Sequence, residues 1–428
     1  MKLGTWLLVC GFAAASGAAE LPEAVLPAGV GVNIHFVTGH EADLDLINAA
    51  GFKFIRMDFS WAATEQKKGA YSWAEYEQLL ANLDRRGIRA LFILDYSNPL
   101  YESTVTSTNP INGTQQKNTA SPQHAESVAA FVRWAAEAAR HFQGRHVIWE
   151  IWNEPNIQFW SPKPDADQYT ALALATAKAV RAADPQTTII GPASSGFPWA
   201  FLETFLKSGV LEHLDAVSVH PYRDPSKPPE TAATDFEKLR RMIDTNAPAT
   251  KRGRIPILSG EWGYSSHRKG VSLATQAAFA ARQQLSNLSQ SVPLSIWYDW
   301  KNDGSDLGEN EHNFGTVLPD LKPKPAFTAI RTMTRELSAS IIERRIGVSS
   351  DKDYVLLCKG FDGTRKLAAW TLEGPHSVSI EVNAPAESNL AAVNGFGDPL
   401  AVQIESGHMV LQLNEAPQYV TLGGSILK

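Results

Sequence analysis

Apolar and polar positions along the chain repeat in a two-part pattern: a short apolar run, then a longer stretch in which apolar residues recur every three or four positions. The short runs fall at residues 30–35, 54–59, 89–95, 147–152, 188–191, 216–220, 255–259 and 294–300. They are rich in Val, Ile, Leu and Phe, as strands buried on both faces must be. The stretches between them, at 41–50, 73–86, 122–142, 165–183, 200–207, 234–245, 272–288 and 325–336, carry the helical period. Eight alternating units in roughly 310 residues predict an α/β protein built on a (β/α)8 barrel. A doubly wound open sheet is the alternative, and no Gly-rich phosphate-binding turn supports it.

Two segments break the alternation. Residues 96–120 are too rich in Ser, Thr and Asn for a core element and long for an α/β connection, which makes them a candidate binding loop or a disordered one. From about residue 339 the period falls to two, with turn signals at Asp362-Gly363 and Asn394-Gly395, so residues 339–428 read as a small β-sandwich-like domain packed outside a barrel of residues 20–338. Residues 1–19 have the basic start, apolar middle and small-residue end of a secretory signal peptide, which predicts a secreted or periplasmic protein with no membrane span in the mature chain.

Composition narrows the chemistry. Of 428 residues 44% are hydrophobic, enough for one large core and a smaller one. The formal net charge of −6 is spread without a basic run, which argues against nucleic acid or an anionic membrane surface as partner. One of the two cysteines, Cys10, lies in the leader, so the mature chain can form no internal disulfide and Cys358 reads as a buried small hydrophobe. No His-x-His or His-Glu-x-x-His pair occurs, so neither metal nor cofactor is expected. A neutral polar partner, a carbohydrate, suits the charge and the twelve tryptophans. Oligomeric state is not legible.

Two of the apolar runs end in a carboxylate. The run at 147–152 stops at Asn153-Glu154-Pro155, where proline ends the ladder and is expected to hold Glu154 extended at the strand tip. The run at 255–259 stops at Gly260-Glu261-Trp262-Gly263. In one barrel both carboxyls reach the C-terminal mouth, and a carboxylate pair across a cleft is what glycoside hydrolysis requires. Trp152-Asn153-Glu154-Pro155-Asn156, His220-Pro221-Tyr222, Ser259-Gly260-Glu261-Trp262-Gly263 and Trp297 to Trp300 together resemble the clan A retaining glycoside hydrolases of the family 5 and family 39 type, including bacterial exopolysaccharide glycosidases and cellulase-like enzymes. The resemblance covers about residues 28–336.

The resemblance implies Glu154 as general acid–base and Glu261 as nucleophile. It also implies that Arg56 and Tyr222 support Glu261, and that Asn153 donates to the sugar 2-hydroxyl. His220 is expected to bond the sugar or Asn153. Trp297 and Trp300 compete for the hydrophobic floor; they differ in strand parity, and position favours Trp297. Trp61, Trp152, Trp160, Trp262 and Trp297 are expected as sugar-stacking shelves around the mouth. A non-catalytic carbohydrate-binding barrel and a transglycosylase are the alternatives; sugar, linkage and endo or exo action stay open.

Overall fold

The computed structural model describes residues 21–109, 113–383, 389–422 and 426–427; the expected leader, residues 1–19, lies outside them. The first part of the chain runs β1 (Val30–Asn33), α1 (Glu41–Ala49), β2 (Phe54–Ser60), the one-turn α2 (Trp61–Thr64), α3 (Ala74–Asp84), β3 (Arg89–Asp95), β4 (Thr104–Thr108), β5 (Gln115–Thr119), α4 (Ala125–His141), β6 (Ile148–Ile151) and α5 (Ala166–Ala183). It continues with β7 (Thr188–Ser195), α6 (Trp199–Lys207), β8 (Ala216–His220), α7 (Ala233–Asn246), β9 (Ile257–Trp262), α8 (Leu273–Ser289), β10 (Ser295–Trp297) and α9 (Pro325–Glu336). Eight of these strands close in the order β1-β10-β9-β8-β7-β6-β3-β2. Parallel pairing of β1 with β10, Val32 opposite Trp297, excludes the open sheet.

Strand parity decides what fills the barrel. Phe54, Leu91, Ile93, Ile148, Ile190, Leu258, Leu294 and Ile296 point inward and pack as one interior group. Their neighbours point outward and meet the helices. There Phe59, Trp134, Phe142 and Trp149 form an aromatic seam, with Phe59 and Trp149 edge to face at 5.1 Å. The helix α4 supplies Trp134 from a face that buries Ala130, Phe131, Ala135 and Ala138, and its polar face takes Glu126 in the first turn and Arg140 in the last, matching the helix dipole. Burying each such aromatic contributes about 1.5–3 kcal/mol relative to leaving it in water.

Helix starts follow local chemistry. The Asp165 carboxylate accepts from the Gln168 backbone N–H at the head of α5, Ser272 does the same for Thr275 at α8, and Pro325 opens α9. Within residues 96–120 the structure has an antiparallel ribbon, β4 against β5, with the Asn118 amide donating to Ser107 Oγ at 2.8 Å.

After α9 come β11 (Ser340–Arg345), β12 (Asp353–Gly360), β13 (Arg365–Thr371), β14 (His376–Asn383), β15 (Asn389–Val393), β16 (Pro399–Glu405), β17 (His408–Leu413), β18 (Gln418–Thr421) and β19 (Ile426–Leu427). They bond in the order β11-β12-β13-β18-β15-β16-β17-β14-β19. Val355 and Leu357 of β12 share one core with Val378 and Ile380 of β14 and Leu411 of β17, so the sheet folds over with its halves face to face. Its outer side joins the barrel's core through Cys358, Ala368, Trp370 and Tyr419. Cys358 is buried, and that burial pushes its thiol up to about 12. Among the described residues no helix is long and apolar enough to cross a membrane.

Candidate active site

The barrel strands deliver polar side chains to one mouth, the C-terminal end, as the fold requires. In β6 the inward parity of Ile148 passes to Glu150, which is fully buried, and the chain then leaves the strand through Trp152 at φ 68° and Glu154 at φ 46°. Both are left-handed. The extended conformation expected of Glu154 before Pro155 is therefore corrected, and the physical reason is tertiary. The Glu154 N–H donates to Ala193 O at 3.0 Å and the Trp152 N–H to Leu94 O at 3.2 Å, so neighbouring strands fix the backbone against its local preference. Such conformations cost on the order of 1–3 kcal/mol each and persist where surroundings over-determine them.

Arg56, on β2, organises the floor. Its Nε donates to Glu150 Oε2 at 2.7 Å, its Nη1 to Glu261 Oε2 at 2.7 Å and Asn33 Oδ1 at 3.3 Å, and its Nη2 to Asn153 Oδ1 at 2.8 Å. The Tyr222 hydroxyl donates to the other Glu261 oxygen at 2.8 Å. Burial alone would push the Glu261 carboxyl up. The positive charges of His220 and Arg56 and the Tyr222 hydroxyl outweigh it, and Glu261 is held below its ordinary 4.5. Gly260 makes room for this: a Cβ there would stand 3.1 Å from both Glu150 Oε1 and His220 Nε2.

Opposite, His220 Nδ1 lies 2.9 Å from Glu154 Oε1. A carboxylate oxygen of Glu154, one of Glu261 and a ring nitrogen of His220 all fall within 4.8 Å of one another. The three donor types would suit a cation, but both Glu261 oxygens already hold Arg56 and Tyr222, so the site is built as a carboxylate pair. A second ligand-type group, His35, Asp299 and Asp303, stands at the mouth, with His35 Nε2 3.6 Å from Asp299 Oδ2. The cavity over the pair measures about 580 Å³ and is lined by aromatics Tyr96, Phe159, Tyr222, Tyr298 and Phe314.

Glu154, Glu261, Arg56, Asn153 and Tyr222 thus converge on one cavity. His220 bonds Glu154 rather than the sugar position or Asn153. The Asn153 amide donates to Tyr96 Oη at 2.8 Å. The tryptophans go elsewhere. Trp61, Trp152, Trp160, Trp262, Trp297 and Trp300 are at most 1% exposed, and none lines the cavity. Trp160 packs against Trp152 and Tyr169 at 5.0 and 5.6 Å, Trp262 lies beside Tyr264, and Trp300 donates to Asp43 on α1 at 2.8 Å.

Because Ile296 points inward, Trp297 points out, donating to Phe314 O at 3.4 Å; the inward aromatic is Tyr298. These large apolar rings seal the seam between strands and helices, which needs more apolar area than a sugar shelf does. Residues outside the expected set are Glu150, Asn33, His35, Asp58, Tyr96 and Tyr298. Glu150 carried a signal: a charged residue inside an apolar strand must have a buried partner.

The family model Cellulase (glycosyl hydrolase family 5) matches residues 26–304. A beta-xylosidase of Geobacillus stearothermophilus is 31% identical over 210 residues, 42% of this chain and 40% of that protein, so the chain spans less than half the length of this curated relative. A family 39 glycoside hydrolase from the gut symbiont Bacteroides cellulosilyticus WH2 superposes with a TM-score of 0.78 at 25% identity, over 94% of this chain and 82% of that one. A monomeric beta-xylosidase from Caulobacter crescentus CB15 gives 0.64 at 16% identity, over 95% and 97%, a likeness of fold alone.

Proposed function

The chain belongs to the cellulase family, glycosyl hydrolase family 5, and from that premise we propose that it hydrolyses O-glycosidic bonds with retention, Glu261 as nucleophile and Glu154 as acid–base. The observation that carries the reading is the spacing. Carboxylate oxygens within 4.8 Å match the pair separation of about 5–5.5 Å of retaining enzymes and leave no room for the water of an inverting one, which needs about 6.5–9.5 Å.

In the first step a Glu261 oxygen bonds the anomeric carbon while the bond to the leaving oxygen breaks and Glu154 gives that oxygen its proton. In the second, water attacks the anomeric carbon, Glu154 takes the water's proton, and the ester to Glu261 breaks. Arg56 and Tyr222 hold the Glu261 carboxylate ionised and aimed, one donor on each oxygen. His220 orients Glu154 through Nδ1. Relatives that carry the name beta-xylosidase make β-xylosides the first substrates to offer. Export from the cell is part of the same proposal and rests on the leader-like composition of residues 1–19.

Proton NMR of the first-formed product reads its anomer directly; retention is expected, and an inverted product would overturn the roles of both glutamates. Glu261→Ala is expected to abolish turnover, whereas Glu154→Ala should keep activity on aryl glycosides with good leaving groups and gain rate with added azide.

A further inference from the structure

The cavity lining holds a group with no part in the reaction above. Asp58 shares the inward face of β2 with Arg56, lines the cavity and is exposed to it. Among the described residues no nitrogen donor bonds its carboxylate, and its one side-chain partner is Asp95. Directly behind it Asp95, at the end of β3, is fully buried, and neither of its carboxyl oxygens has a donor. Two carboxyls in contact cannot both ionise cheaply, so they share a proton. Burial first, then the charge of Asp58, push Asp95 well up, so Asp95 keeps the proton and hydrogen-bonds Asp58 with it. Burial pushes the Asp58 carboxyl up as well, but Arg56, His35 and the Asp95 hydrogen bond pull against it, so Asp58 is the more acidic of the two and faces the cavity with its remaining lone pairs unused.

Acidic side chains outnumber basic ones in the cavity lining. Besides Asp58 the lining carries Glu154, Glu261 and Glu311, against Arg56 and His35. The Arg56 guanidinium is not free for a ligand, being occupied by Glu150, Glu261, Asn33 and Asn153, and the half-exposed His35 ring is turned toward a buried carboxylate, Asp299. Lys324, behind the wall, has its amine on Ser266, Asn302 and Asn313.

We propose that Asp58, backed by the buried acid Asp95, selects the sugar: its free carboxylate accepts hydrogen bonds from hydroxyls of an uncharged glycone, and the acidic wall rejects a glycone that carries a carboxylate. The proposal rests on the hydrolytic reading for its setting but concerns recognition, which is measurable without turnover. Binding of xylose, glucose and glucuronic acid to the full chain and to Asp58→Asn is followed by saturation-transfer NMR, beside turnover of the 4-nitrophenyl β-glycosides of the same sugars. Neutral sugars are expected to bind, and glucuronic acid and its glycoside to be disfavoured by on the order of 100-fold. Asp58→Asn should raise KM for the neutral glycoside by about tenfold and narrow the neutral-to-uronide ratio, because one hydrogen bond to a charged acceptor is lost with the repulsion.

Equal handling of glucoside and glucuronide, an unchanged ratio in Asp58→Asn, or no bound neutral sugar would each overturn the assignment. The wild-type comparison decides even if the variant fails to fold. Neutral-sugar binding that depends on Asp58 without any turnover would sink the hydrolytic reading and leave the role of Asp58 standing. A purely structural role would lower stability and kcat with the ratio unmoved, so the melting temperature of the variant is recorded alongside.

Discussion

A guanidinium that bonds Glu150 and Glu261 at 2.7 Å each is held between two negative charges, and it keeps the nearer of them to the cavity ionised. The Tyr222 hydroxyl adds to this from the other oxygen. The sign of the resulting pH dependence follows from the direction of the shift. Because the Glu261 carboxyl is held below 4.5 in the folded protein, it contributes stability above that ordinary value and loses it as pH falls through the lower folded value. The ionised nucleophile disappears over the same window, so the acid limb of kcat/KM should lie below 4.5.

Tyr222→Phe should move that limb to higher pH and lower kcat/KM about 10–100-fold, the range for one hydrogen bond to a charge. A pH–rate profile on one aryl glycoside checks both; a limb that stays put would detach Tyr222 from the nucleophile. Glu154 and Glu261 were readable because a carboxylate ending an apolar strand has few other destinations; Arg56 and Tyr222 came with the family resemblance, and Glu150, inside its strand, was not read. The tryptophans were not readable, because a Trp at residue 297 satisfies an outward seam as well as an inward floor, and one step of register to Tyr298 separates the two.

At the scale of elements, the strand–helix alternation was plain because parallel strands buried on both faces leave uninterrupted apolar runs, as residues 89–95 show by matching β3. Where an element is held by neighbours rather than by its own composition, the sequence pointed elsewhere. The polar ribbon β4–β5 has no apolar face to announce it, and the left-handed turn at Glu154 is imposed by Ala193 of β7 and Leu94 of β3. The end of β9 gives a test at this scale. Gly260→Ala puts a methyl 3.1 Å from Glu150 Oε1 and His220 Nε2, tight enough that these must shift by a few tenths of an ångström. Those two side chains position Arg56 and Glu154 respectively. The variant should therefore fold and melt within a few degrees of wild type, yet lose on the order of 10–100-fold in kcat, since catalytic geometry tolerates less displacement than packing does. Loss of fold without a separable kinetic defect would place the role of Gly260 in packing alone.

The whole molecule is tied together away from the mouth, by one buried charge pair that both domains share. Glu230, between β8 and α7, takes two parallel hydrogen bonds from Arg282 of α8 at 2.8 and 2.7 Å, with the two side chains 2% and 1% exposed. Trp370 of β13 donates its ring N–H to Glu230 Oε1 at 2.8 Å, and Arg282 reaches the Glu415 carbonyl at 3.3 Å. The β domain thus completes the solvation of a charge pair that the barrel alone would leave short of partners. Removing one member strands the other in a dry interface, which costs far more than the pair itself is worth. Glu230→Ala is accordingly expected to destabilise the chain by about 3–5 kcal/mol, and Trp370→Phe, which deletes only one donor, by about 1.5–3 kcal/mol. Urea unfolding followed by tryptophan fluorescence measures both. Because the contact is shared, the loss should appear as a shift of one common transition. Two separate transitions, with only the weaker one moved by Glu230→Ala, would mean that barrel and β domain fold independently and that the pair serves docking rather than the stability of the barrel.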